Sequence, residues 1–173
     1  RFSTFLTRTE SFSYKDLDAL TAYILTGIKN PPNLINNPIG ELTEAQLGGK
    51  KIFERTIDNN GKEIPEANRC ITCHPPPYYT NRKMSYVQTI ASTDDSILFD
   101  TPHLNNIYLS APYLHDGRAA TLEEIWTRYG TKDMHGRVND LSKIQLNELI
   151  DYLKSLRSPQ YELADMKKNH VKN

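Results

Sequence analysis

The chain has 173 residues with 21 basic and 21 acidic side chains and no formal net charge, which is room for one ordinary domain and a remainder rather than two independent ones. Only 38% of the residues are apolar, below the usual globular share, so something besides side chains is expected to fill the core, and a bound cofactor would supply that. No basic patch is present to track a phosphate backbone and no apolar run approaches the roughly 20 residues that span a bilayer, so neither nucleic acid nor a membrane span is expected. The chain opens at Arg1 with no charged leader ahead of an apolar run, and it reads as a processed or partial product.

In chain order, Ser13 followed three residues later by Asp16 resembles a capping box, after which Leu17, Leu20, Ile24 and Ile28 fall on one face. This predicts a helix over 14–28. Asn30-Pro31-Pro32-Asn33 stops it, and the stretch to Gly40 reads as a linker, with a domain boundary near 40. Thr43 with Gln46 opens a second helix in which Gly49 and Phe53 are four apart on one face; the glycine would admit another helix at close range. Residues 56–69 are polar and turn-rich, a loop leading into the chain's two cysteines.

Both cysteines lie in Cys70-Ile71-Thr72-Cys73-His74. Two cysteines separated by two residues and followed at once by histidine form the c-type haem attachment pattern. Each thiol can form a thioether to one haem vinyl group, and His74 is carried beneath the porphyrin as the proximal iron ligand. The alternatives are a structural disulfide, a redox dithiol and half of a zinc site. Zinc needs four ligands and no second pair with finger-like spacing follows; a thioredoxin-type dithiol needs no histidine and would sit after a strand, for which there is no pattern. Pro75, Pro76 and Pro77 should stop any helix and hold the chain extended. Haem attachment of this kind takes place outside the cytoplasm, so a periplasmic or outer-surface location is expected.

Residues 75–120 have poor periodicity, and so long an irregular stretch suits a segment that wraps something, such as a haem edge. Thr121 with Glu124 predicts the cap of a third helix, with Leu122, Ile125, Trp126 and Tyr129 inward and Gly130 at its end. Ser142 with Gln145 caps the last, whose apolar face is Leu146, Leu149, Ile150, Leu153 and Leu156, with Pro159 after it. The organisation expected is thus a leading piece over 1–40, a domain over 41–157 and a charged tail over 158–173, in which His170 is solvated.

Gly49-x-x-x-Phe53, then Cys-x-x-Cys-His, then Leu149-x-x-Tyr152-Leu153 resembles a class I cytochrome c domain: mainly α, helices around one covalently bound haem c, with long irregular loops. More specific are Thr101-Pro102-His103-Leu104-Asn105-Asn106, Ala111-Pro112-Tyr113-Leu114-His115-Asp116-Gly117 and Ala120-Thr121-Leu122-Glu123-Glu124. These resemble the haem domain of the di-haem cytochrome c peroxidase superfamily, and the likeness runs from about Leu42 to Leu156. Members joined to other modules, β-propellers included, are similar in continuing as Asp133-x-His135-Gly136. The resemblance implies that helix 14–28 ends a preceding domain of the same kind, that the chain is a C-terminal piece of a larger protein, and that calcium could sit at a domain junction. The family usually has Arg where Asn105 stands; Arg118 is the expected substitute as a cation for a haem propionate. By resemblance His115 lies on a structural turn, whereas His103 is unassigned.

The choice of sixth iron ligand sets the chemistry. The family's peroxidases have Met fourteen residues after the His of His-Asp-Gly, which is Tyr129 in this chain, and one branch has Tyr there. Met134 and His135 lie between Gly130 and Gly136 in a loop that could fold over the distal face. His135 is the favoured ligand, as a neutral imidazole at a position where the resembling branch has His, with Met134 and Tyr129 as alternatives. Two axial imidazoles would leave peroxide no open site. The expected function is then single-electron transfer within a larger periplasmic oxidoreductase, with a redox partner protein or an adjacent haem domain. The alternatives are the electron-donating part of a di-haem peroxidase and a structural or sensing haem domain. For peroxide chemistry a distal acid or base is needed; besides His135 only Glu123 or Glu124 could be proposed, and these resemble first-turn helix charges.

Overall fold

The computed structural model describes residues 12–130 and 132–159, so His170 and the rest of the tail from 160 lie outside the described residues. The chain divides into two compact units, Arg1–Pro31 and Pro32–Asn173. Helices dominate both. Among the described residues, no helix is long and apolar enough to cross a membrane.

The first unit carries α1, Tyr14–Ala22, which continues as a π-helical turn over Tyr23–Gly27. Its capping box forms as the spacing predicts: the Ser13 hydroxyl accepts from the Asp16 amide at 3.2 Å, and the Asp16 carboxylate accepts from the Ser13 amide at 3.0 Å. Leu17, Leu20, Ile24 and Ile28 share a face, yet all four stay exposed, and no residue of α1 is buried.

The second unit is built on two crossing helices, α2 over Glu44–Glu54 and, at the far end of the chain, a thirteen-residue helix over Lys143–Ser155. Between them come α3, Cys70–Cys73, and α4, Glu124–Thr127, which makes the last helix α5. A minimal antiparallel pair, β1 over Met84–Ser85 and β2 over Phe99–Asp100, sets Met84 opposite Asp100. Both long helices open on full capping boxes, Thr43 with Gln46 and Ser142 with Gln145.

The crossing is close because of Gly49. A Cβ there would lie 2.0 Å from the Glu148 carbonyl oxygen, which leaves no space for any other residue. Phe53 packs its ring against Tyr152 at 5.5 Å and Tyr79 at 6.0 Å, so one side chain joins α2, α5 and the segment that follows the cysteines. Leu149, Tyr152, Leu153 and Leu156 complete the buried face of α5, each contributing about 1.5–3 kcal/mol.

Three features differ from the sequence expectations. The break between units falls after Pro31 rather than near 40, because the 32–40 segment is docked: the buried Asn33 and Asn37 donate to the carbonyls of Lys154 at 2.7 Å and Ser155 at 3.1 Å. These are carbonyls at the end of α5 that the helix cannot itself satisfy. The third helix is one turn long and starts at Glu124, not Leu122. The Thr121 hydroxyl accepts from the Glu124 amide at 3.3 Å, one half of the expected box, while the Glu124 carboxylate accepts from Ala120 N at 2.6 Å and leaves the other half open. Finally, the residues after His74 turn rather than run extended: the Pro76–Pro77 peptide is cis and Tyr79 has φ 54°. The rest of 75–120 is largely irregular, as its lack of periodicity implies.

Candidate functional site

Cys70 and Cys73 are three apart on the single turn of α3 and therefore share a face. Both thiols are free and half-buried. Burial pushes the Cys70 thiol up to about 11, against the pull of the nearby Arg55 cation. Cys73 Sγ lies 4.0 Å from the Ser85 hydroxyl of β1.

His74 leaves the helix at φ −119°, ψ 60°, while its amide still donates to the Cys70 carbonyl at 2.9 Å. The turn through Pro76 and Pro77 brings the Tyr79 carbonyl to 2.8 Å from His74 Nδ1. A carbonyl only accepts, so Nδ1 carries the proton and Nε2 keeps its lone pair. Burial lowers the pKa of the ring, opposed by the carbonyls of Tyr79 and Pro102. The imidazole is therefore neutral at pH 7 and of the tautomer a metal requires.

His135 sits in the loop between α4 and α5. Its pKa is depressed to about 4, first by burial and then by the neighbouring His74. Among the described residues its buried Nδ1 has no hydrogen-bond partner, a condition that costs about 1–3 kcal/mol unless another group satisfies the nitrogen. Trp126 Nε1 donates to the His135 carbonyl at 3.0 Å. Gly136, at φ +84°, packs so tightly that a Cβ would meet Cys70 Sγ at 3.3 Å. The structure thus brings together Cys70, Cys73, His74 and His135, and this donor set fits a covalently attached haem: two free thiols on one helical face, a neutral imidazole of fixed tautomer, and a second buried nitrogen lacking a partner. Among the described residues no three of His, Cys, Asp and Glu are grouped to hold a metal ion.

The other predicted residues are placed as follows. Met134 is half-buried in the same loop. Tyr129 is half-buried against the core, with the Arg128 and Arg118 guanidiniums 5.4 and 5.9 Å from its ring centre. Arg118 is ion-paired with Asp116, its Nε donating at 2.6 Å, so its charge is already met locally. His115 bonds Asp94 at 2.9 Å through Nε2 and stacks on Phe99 at 3.9 Å, while His103 is exposed. Asn105 is buried and donates to the carbonyls of Arg157 at 2.6 Å and Pro77 at 3.3 Å, tying the end of α5 to the proline turn.

Sequence reasoning missed the polar cluster under the His135 loop. Arg55 grips Asp140 with both terminal nitrogens, at 2.8 and 2.7 Å, and Arg137 reaches Asp133 at 2.5 Å and Asp58 at 3.0 Å. Asp133-x-x-x-Arg137-x-x-Asp140, with charges four and three apart, was the local signal; Arg55 and Asp58 carry no comparable local marker.

No family model matches the chain. It is 32% identical to hydrazine synthase subunit gamma of Kuenenia stuttgartiensis over 88% of its length and 52% of that protein's. It is 28% identical to cytochrome c551 peroxidase of Nitrosomonas europaea over 70% of its length and 40% of that protein's. These matches support the di-haem cytochrome c peroxidase-like superfamily. Among solved structures, a chain of K. stuttgartiensis hydrazine synthase pressurised with xenon superposes at TM-score 0.67 with 28% identity, over 89% of this chain and 59% of that one. A MauG-like protein associated with microbial copper homeostasis shares the fold at TM-score 0.55 and 18% identity, over 91% of this chain and 57% of that one. The chain spans about half the length of the curated relatives it matches.

Proposed function

We propose that the chain is a c-type cytochrome module that passes single electrons within a larger extracytoplasmic oxidoreductase. The observation that carries this reading is the pairing of His74, neutral and of fixed tautomer, with the buried and partnerless Nδ1 of His135 beside two free thiols. Cys70 and Cys73 would hold one haem c, each thiol adding across a vinyl group, and His74 and His135 would hold the iron. Bound there, the haem supplies a one-electron ferric/ferrous couple.

The chain's own residues prepare that couple. The Tyr79 carbonyl fixes the proton of His74 on Nδ1 and so presents Nε2. Burial keeps His135 unprotonated and able to donate a lone pair, and Gly136 lets its loop press onto Cys70. Arg118 stands as the candidate propionate cation, although Asp116 already shares its charge.

The wider setting follows from the relatives. One is named as a subunit, which supports membership in a multi-protein assembly, and the chain's span of about half their length supports a further domain. The exposed apolar side of α1 fits the end of such a domain. Similarity to a cytochrome c551 peroxidase favours a second reading, in which the module feeds electrons to a peroxidatic haem elsewhere.

Absorption and EPR spectra of the purified haem-loaded chain in both redox states test the first reading. A low-spin ferric signal that becomes high-spin in His135→Ala supports it, and a high-spin signal at rest would sink it. Peroxide-driven oxidation of the reduced full-length protein, absent from the isolated chain, separates the second reading from the first.

A further inference from the structure

The loop that carries His135 is tied to the rest of the unit by polar contacts on both of its flanks. On one flank Asn68 Nδ2 donates to the Asp133 carbonyl at 2.7 Å; on the other the Arg137 amide donates to the Asn68 carbonyl at 2.9 Å. Both anchor points belong to the segment that runs directly into Cys70. The Asp133 carboxylate stiffens the loop from within, its Oδ1 accepting from the amides of Val138 and Asn139, each at 2.9 Å.

Arg137 joins these parts. Its Nη1 donates to Asp133 Oδ2 and its Nη2 to Asp58 Oδ2, so one guanidinium bridges the His135 loop and the 56–64 loop. Its backbone carbonyl accepts from Arg55 Nη2 at 2.7 Å, and Arg55 in turn holds Asp140 at the loop's far end. The side chains of Asp58 and Asp140 are 3% and 2% exposed, so water contributes little: Asp58 accepts from the amides of Asn60 and Lys62 at 2.9 and 3.0 Å besides Arg137, and Asp140 from the Asn59 amide besides Arg55.

We infer that Arg137 is a positioning residue for His135: its bridge between Asp133 and Asp58 fastens the loop that carries His135 where its Gly136 packs onto Cys70. The inference rests on the reading of His135 as an iron ligand. An imidazole on a loop fastened in this way is delivered to its partner already ordered, whereas on a loose loop it would exchange with small competing ligands. Partners one shell out from a metal ligand commonly alter affinity or activity by about 10–100-fold when removed.

The test compares ferric EPR spectra and cyanide-binding rates of the haem-loaded chain and its variants, well below each variant's unfolding midpoint. Arg137→Met is expected to bind cyanide about tenfold faster and to show a high-spin fraction, and Arg137→Lys, which can keep one of the two contacts, to restore part of the low-spin signal. Should Arg137→Met fail to fold, the double variant Asp58→Asn with Arg137→Gln removes the bridge without stranding the Asp58 charge, and the same changes are expected. Spectrum and rate matching the unaltered chain in the bridge variants, while His135→Ala changes both, overturn the positioning role alone. An unchanged His135→Ala spectrum overturns the ligand reading and this inference with it.

Discussion

The α2–α5 crossing and the loop over 133–140 both press on the Cys70–His74 segment, but by different physics. The crossing is apolar: Gly49 admits the backbone of α5, and Phe53 reaches Tyr79, whose carbonyl orients His74. The loop packs Val138 against the core and is held besides by two guanidiniums and three carboxylates. Apolar packing tolerates acid, whereas a cluster of carboxylates does not, so the two histidines should differ in how their surroundings respond to pH.

The largest effect is expected at the crossing. Phe53→Ala should cost about 3–5 kcal/mol, since it empties a site shared by three segments, and denaturant titration of the haem-loaded chain would show the midpoint fall. A loss below about 1 kcal/mol would mean that Phe53 does not join the two sides. Gly49→Ala should cost about 3 kcal/mol, because the added methyl meets backbone rather than a movable side chain. The same titration checks it.

The clamp should respond to acid instead. Burial raises the pKa of Asp133 and Asp140, but the backbone amides and guanidiniums they accept from outweigh it, so both are lowered, as is that of Asp58. Their stabilisation is complete above the ordinary carboxylate value of 3.8 and is lost as pH falls through the lower folded values. Hydrogen exchange, corrected for intrinsic rates, should show the 133–140 amides losing protection on acidification before those of α2 and α5; simultaneous loss would erase the distinction. The smallest change is Ser142→Ala, expected to cost about 1 kcal/mol by removing one half of the α5 capping box. Thermal unfolding would register it as a small shift with no spectral change.

What could be read from the sequence follows the range of the interactions. The boxes at Ser13, Thr43 and Ser142 were legible because donor and acceptor are three residues apart and need nothing else. The box at Thr121 forms only by half for a related reason: the Thr121 hydroxyl takes the Glu124 amide, but the Glu124 carboxylate had a second amide within reach, that of Ala120. Residues 32–40 looked like a linker because their asparagines find partners more than a hundred residues away, at the end of α5. The Arg55–Asp140 pair was invisible for the same reason, its members being 85 positions apart.

The sequence by itself determined the local chemistry: a Cys-x-x-Cys-His turn, helices with their caps, and a glycine that marks a close crossing, each set by neighbours within one or two turns of chain. Only the tertiary structure decided which distant groups meet. It packed the His135 loop against Cys70, docked Asn33 and Asn37 onto the end of α5, and laid a buried ion cluster beneath the His135 loop. Such choices depend on which surfaces are removed from water together, and spacing along the chain does not encode that.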